Sequence, residues 1–219
     1  MKIMQNHYLF DCLDLPTIEW KQYFPSTELD NELLWTIKIE SKNTTENQLK
    51  KSKKDDPIQK FIRSIPILNE KKQTSHIGID AVSARKAGNR FYKKLNTGEI
   101  VLYYPYYTVL KSGIIDINKE RTVIEATKGN IQNLVKGNKV DITMIFKDDD
   151  LEIIGNEKFF HLLETIELVD CCKKIKRRCA RDIELGKNLQ FYWSYVYKTN
   201  VYLKPEKELK LIMHHYKIF

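Results

Sequence analysis

Residues 99–146, EIVLYYPYYTVLKSGIIDINKERTVIEATKGNIQNLVKGNKVDITMIF, most constrain what this chain can fold into. Runs rich in β-branched and aromatic residues recur there, broken by Pro105, by Lys111-Ser112-Gly113, by Asn118–Arg121 and by a small helical piece. Short runs of this kind, bounded by turn residues, read as strands joined by tight connections. The expected strands are 100–104, 106–110, 114–117, 122–126 and 139–146, with a tight turn at Lys111-Ser112-Gly113 and a hairpin turn at 118–121. Five polar residues stand out within them: Lys111, Ser112, Glu125, Lys128 and Asn133.

The flanking sequence supplies the other elements. In 33–40, Leu33, Trp35, Ile37 and Ile39 alternate with Thr36, Lys38 and Glu40, the period of a half-buried strand, with Lys38 pointing away from the apolar face. Residues 41–57 are polar and charged, hold Lys50, Lys51, Lys53 and Lys54, and read as a loop or mobile insertion. Residues 58–68 are apolar enough to dock as a short helix and an extended piece. Asp80 is placed to cap a helix whose stripe is Ala84, Ala87, Phe91 and Leu95. The clearest helix spans 157–185, with Phe159, Leu162, Leu163, Ile166, Val169, Cys172, Ile175, Cys179 and Ile183 at threes and fours and Gly186 as its stop. An aromatic strand at 189–197 and a final strand at 209–218 pair antiparallel. The expected fold is α+β: a mostly antiparallel mixed sheet with one long helix of the C-terminal half packed across it. An N-terminal α/β portion, 1–98, precedes a core at 99–219.

Bulk properties exclude several classes. No apolar run approaches the ~20 residues that span a bilayer. The N-terminus carries Asp11 and Asp14 within its apolar patch and lacks a small-residue cleavage site, so a cytoplasmic location is expected. The four cysteines, Cys12, Cys171, Cys172 and Cys179, do not form a secreted disulfide pattern. Cys172 and Cys179 with His161 could be arranged around a metal, but buried free thiols on an amphipathic helix are the expectation. Asp148-Asp149-Asp150 lacks a calcium-loop continuation and reads as a hairpin tip. His214 and His215, adjacent on a strand, should face opposite ways and cannot share a metal. Walker, Rossmann and GxSxG patterns are absent.

The segment VIEATKGNIQNLVKGNKVDITMIF resembles the nucleotide-binding domain of phosphoenolpyruvate synthase and pyruvate phosphate dikinase, an ATP-grasp fold. Val123-Ile124-Glu125-Ala126 matches that family's strand ending in IEA, and Leu134-Val135-Lys136-Gly137 its helix ending. Leu110-Lys111-Ser112-Gly113-Ile114 is similar to its SGV turn. The helix ending at Gly186, the strand through Trp193 and the closing segment 211–217 resemble its later elements. The likeness covers roughly residues 100–219 and implies ATP and magnesium as ligands. It makes Glu125 the magnesium ligand, Lys38 the nearest match to a phosphate-gripping Arg, and Lys111, Lys128, His215 and Lys217 further ligand-binding positions. The sequence departs from the family at Tyr192, His215 and Lys217, which replace its Glu, Gln and Arg, and it has neither the Gly-rich ATP loop nor the phosphohistidine domain. The implied protein is a reduced ATP-grasp-like domain that binds a nucleotide or other phosphorylated ligand without full catalytic machinery. Glu125 has an alternative as a strand-end carboxylate paired with Lys111 or Lys128.

Charge supports another function class. Net charge is +8 and the pI about 9.1, which favours polyanions. Lys173, Lys174, Lys176, Arg177, Arg178 and Arg181 load one helix end, where they also complement the helix dipole. With Tyr and Trp side chains for stacking they would make a nucleic-acid-binding module. A third option is an interaction subunit that docks a partner on the aromatic strand at 189–197.

Overall fold

The computed structural model describes residues 9–41, 75–136, 139–147, 150–203 and 208–219. It is α+β, with two antiparallel sheets. The first holds β1 (Lys21–Gln22), β2 (Trp35–Ser41), β3 (Ser75–Ile79) and β4 (Glu99–Pro105) in the order β1-β4-β2-β3, with helix α1 (Ala81–Tyr92) against it. The second holds β5 (Tyr107–Ile117), β6 (Thr122–Lys128), β7 (Ile142–Lys147), β8 (Asp150–Gly155), β9 (Leu189–Lys198) and β10 (Lys210–Ile218) in the order β10-β9-β5-β6-β7-β8. Helix α2 (Gln132–Val135) follows β6, and α3 (Leu162–Arg178) and α4 (Ala180–Glu184) separate β8 from β9.

Two sheets replace the single mixed sheet expected. The chain leaves one for the other at Tyr106, one strand later than the division expected after residue 98. Tyr106 bridges them through its backbone, donating to the Leu34 carbonyl at 2.8 Å and accepting from the Thr199 amide at 2.9 Å. Pro105 ends β4 because it has no amide proton to offer a ladder. The tight turn expected at Lys111-Ser112-Gly113 does not form, and β5 runs through it unbroken. Gly113 is there for space, since a Cβ on it would collide with the Trp193 indole and the Glu125 carbonyl. Beyond Ser41, the expected loop and the segment at 58–68 lie outside the described residues, as do Gly137, Asp148, Asp149 and Pro205.

Local signals place α1 as read. The Asp80 Oδ1 accepts from the Ser83 amide at 2.9 Å, and Ala84, Ala87 and Phe91 are buried. Strand β2, however, is covered on both faces. Thr36, Lys38 and Glu40 are as buried as Trp35 and Ile37, and Lys38 forms an ion pair with Glu40. The polar alternation that suggested a solvent face belongs to an interior one.

The main core fills one face of the six-stranded sheet. Ile115, Ile124, Met144, Phe191 and Trp193 pack there against Leu168, Cys171 and Ile175 of α3, against Phe10 of a helical turn at 9–12 and against Leu13, which follows that turn. The expected long helix is two, broken at Cys179, and the expected stripe holds at Cys172, Ile175 and Cys179 but not over the first turns. Leu162, Leu163 and Ile166 are exposed while Glu164 is buried. The sheet causes this, because Lys111 projects from β5 into the core and takes Glu164 at 2.6 Å and the Phe159 carbonyl at 2.8 Å. The Tyr195 hydroxyl donates to the Glu164 carbonyl and to Glu167, both at 2.9 Å. Glu164 also caps α3 by accepting from the His161 amide at 2.7 Å. Cys171, Cys172 and Cys179 are buried as expected, and burial pushes the thiols of Cys171 and Cys172 up to about 12.

Candidate functional site

The pairing register lines up polar residues on the second face of the six-stranded sheet. One row runs His215–Tyr192–Ile114–Glu125–Thr143 across β10, β9, β5, β6 and β7. The next runs Lys217–Gln190–Asp116–Val123–Ile145. On the other side, Ser194–Ser112–Thr127 forms a third row. Side chains two residues apart along a strand share a face, so all three rows point the same way. Helix α2 sits over this face, with Leu134 and Ile131 packed on Ile114 and Tyr192.

Tyr192 is the hub. Its ring centroid lies 5.2 Å from that of His215 and 5.3 Å from the Lys217 Nζ. Its hydroxyl donates to the Gln190 Oε1 at 2.8 Å, and the Gln190 Nε2 donates to Asp116 at 3.2 Å. A chain of bonds thus fixes Asp116, which is a diagonal cross-strand neighbour of Glu125, about 7–8 Å away between Cα atoms. Two carboxylates at that spacing can reach one hard cation. Burial, and then the charge of Lys217, hold the His215 pKa below the usual histidine range, so near neutral pH its ring is an uncharged donor and acceptor.

A second polar group lies on the same face. The Ser112 Oγ donates to the Gly129 carbonyl at 2.7 Å and sits 3.0 Å from the Ser194 Oγ, which is 3.1 Å from the His214 Nε2. Burial depresses the His214 pKa to about 4, against a hydrogen bond to the Trp193 backbone that raises it. The expectation that His214 and His215 face apart fails. A bulge between Met213 and His215 inserts one residue, so both turn towards the face that carries Ser194 and Tyr192. Among the described residues no group of three or more His, Cys, Asp or Glu is gathered to hold a metal.

The structure divides the ligand residues named from the sequence. Glu125, His215 and Lys217 share one face. Lys111 lies opposite Lys128 in the register, both on the other face, so neither meets Glu125. The Lys111 amine is committed to Glu164, and Lys38 is buried in the first sheet with Glu40. These two amines hold the fold rather than a phosphate. Asp116, Gln190, Ser194 and His214 were missed. Strand alternation could have flagged Asp116 and Gln190, whereas the bulge that turns His214 has no local signature.

Of the six basic residues in α3 and α4, Lys173, Lys176, Arg177, Arg178 and Arg181 are exposed. Lys174 is tied to Asp14 at 2.9 Å and Asp170 at 3.0 Å. Of the Tyr and Trp side chains of strand β9, Trp193 and Tyr195 are buried in the core and are not presented for stacking on bases. Strand β9 lies between β10 and β5, so it has no free edge for a partner strand to pair with.

No family model matches the chain, and a search of curated proteins finds no match. Among the described residues, no helix is long and apolar enough to cross a membrane.

Proposed function

We propose that the protein binds a nucleotide or another small phosphorylated ligand across the second face of its six-stranded sheet, as a reduced ATP-grasp-like domain without full catalytic machinery. The observation that carries this is the register, which brings Glu125, Asp116, His215 and Lys217 to one face around Tyr192. His215 and Glu125 are three strand spacings apart, roughly 14 Å at about 4.8 Å per strand. That is too far to share one ion and suits a ligand with two ends. Lys217 supplies charge for phosphate oxygens, and His215 a neutral hydrogen-bond partner. Magnesium would be held by Asp116 and Glu125 and would neutralise phosphate charge, a demand that one or two carboxylates meet when the ligand supplies the other oxygens. Among the described residues of this face, Ser194 beside His214 comes nearest to a nucleophile with its base. Burial lowers the His214 pKa to about 4, a weak base, which supports binding without turnover.

Thermal-shift titration with ATP tests the proposal. A magnesium-dependent rise in melting temperature that Glu125→Gln removes is expected. No shift with or without magnesium would refute it.

A second function keeps one observation in its favour. The five exposed cations of α3 and α4 form a surface that suits nucleic-acid phosphates.

A further inference from the structure

Where the two sheets meet, a cleft of about 250 Å³ opens beside the Ser112–Ser194–His214 group. Tyr104, Tyr106 and Tyr107 contribute its aromatic wall, and Val109, Val196 and Ile212 its apolar floor. No Asp, Glu, Lys or Arg is among the described residues that line it. Ile131 lines the cleft and also packs on Ile114 and Tyr192, so it stands between this space and the Glu125 row. The cleft therefore lies on the same sheet face as the Glu125 row but apart from it, and none of Asp116, Glu125, Tyr192, His215 and Lys217 is among the described residues that line it.

Its size and lining specify a ligand. A cavity of about 150 Å³ lined by apolar side chains takes benzene, so this one accommodates a substituted single ring. An ion brought here would lose its hydration and find no counter-charge. The polar end has a direction as well. The Ser112 proton is committed to the Gly129 carbonyl. The Ser194 proton has two acceptors beside it, the Ser112 Oγ at 3.0 Å and the His214 Nε2 at 3.1 Å, and is taken by one or the other according to the His214 tautomer. In either arrangement neither serine has a proton to give, and both oxygens can only accept.

We infer that this cleft is a binding site for an uncharged, mainly apolar ring compound bearing a hydroxyl or N–H group, which donates its hydrogen bond to the paired oxygens of Ser112 and Ser194. The inference is independent of nucleotide binding and uses none of the same residues.

Calorimetry on the whole chain with four probes tests it: p-cresol, toluene, 4-methylanisole and benzoate. Saturable binding of p-cresol is expected, about tenfold tighter than toluene, the usual effect of one hydrogen bond. The methyl ether, which can only accept, should bind no better than toluene, and benzoate should not bind. Ser194→Ala should remove the advantage of p-cresol while leaving toluene unchanged, and Ile212→Trp, which fills the cleft, should abolish both. Absence of p-cresol binding, equal affinities for p-cresol and toluene, binding of benzoate, or a p-cresol advantage that survives Ser194→Ala would each overturn the inference. If Ser194→Ala fails to fold, the order of the four probes on the unaltered protein still decides it.

Discussion

His214 should make this protein acid-sensitive in a way that one substitution isolates. Its ring is enclosed between Ser194 and the Trp193 backbone, and burial moves its pKa from 6.5 to about 4. Between those values the unfolded chain takes up a proton that the native state refuses. The His214 contribution is therefore complete above pH 6.5 and is lost as pH falls towards 4. A shift of that size is worth up to about 3 kcal/mol, and between pH 7 and 4.5 linkage gives a loss of about 2 kcal/mol. Residual exposure of the ring to the cleft trims the figure rather than its sign. His215, also lowered, acts in the same direction, and Asp14, Glu19, Asp80 and Asp141, with pKa values below the usual carboxylate range, weaken the fold at lower pH. All of these remain in His214→Asn, so they cancel when its urea-unfolding free energy is subtracted from that of the unaltered protein. The difference should shrink by about 2 kcal/mol from pH 7 to 4.5. A difference that does not change with pH would refute the enclosure of the ring.

Lys111→Met should destabilise the fold by about 3–5 kcal/mol in urea unfolding, because it strands Glu164 in the core, and adding Glu164→Met should recover most of the loss. An unchanged single variant would mean that the pair does not hold α3. Gly113→Ala should lower stability by about 1–3 kcal/mol by forcing Trp193 off β5, and a neutral effect would contradict the close approach. If the basic end of α3 binds nucleic acid, the affinity for mixed oligonucleotides should fall steeply with salt and disappear in an Arg177→Glu, Arg178→Glu, Arg181→Glu variant. Binding insensitive to salt would rule out that surface.

Local chemistry was legible in this sequence, and long-range pairing was not. Asp80 announced α1, Asn118–Arg121 announced the β5–β6 hairpin, and the two closing strands paired as read. The α+β class followed from these. The buried face of the first turns of α3 did not follow, because Glu164 is held there by a lysine 53 residues away. The partition into two sheets also depends on contacts distant in sequence, those of Tyr106 with Leu34 and Thr199. The candidate site was half legible. Glu125, His215 and Lys217 were chosen from a resemblance; alternation within each strand could mark Asp116 and Gln190 as polar positions, but what sets them beside the others is a register that single-strand periodicity cannot fix. Lys38 and Lys111 were attractive as surface cations, yet each is held by a buried glutamate. Glu164 is distant in sequence from Lys111, whereas Glu40 shares a strand face with Lys38, and only the burial of that face was not legible.

The most direct test of ligand binding on the sheet face is a two-dimensional amide NMR titration with ATP and magnesium. Peak shifts should cluster at Asp116, Glu125, Tyr192, His215 and Lys217 and be weakened when magnesium is withheld. Shifts confined to residues 173–181, or none at millimolar ligand, would contradict the proposed function.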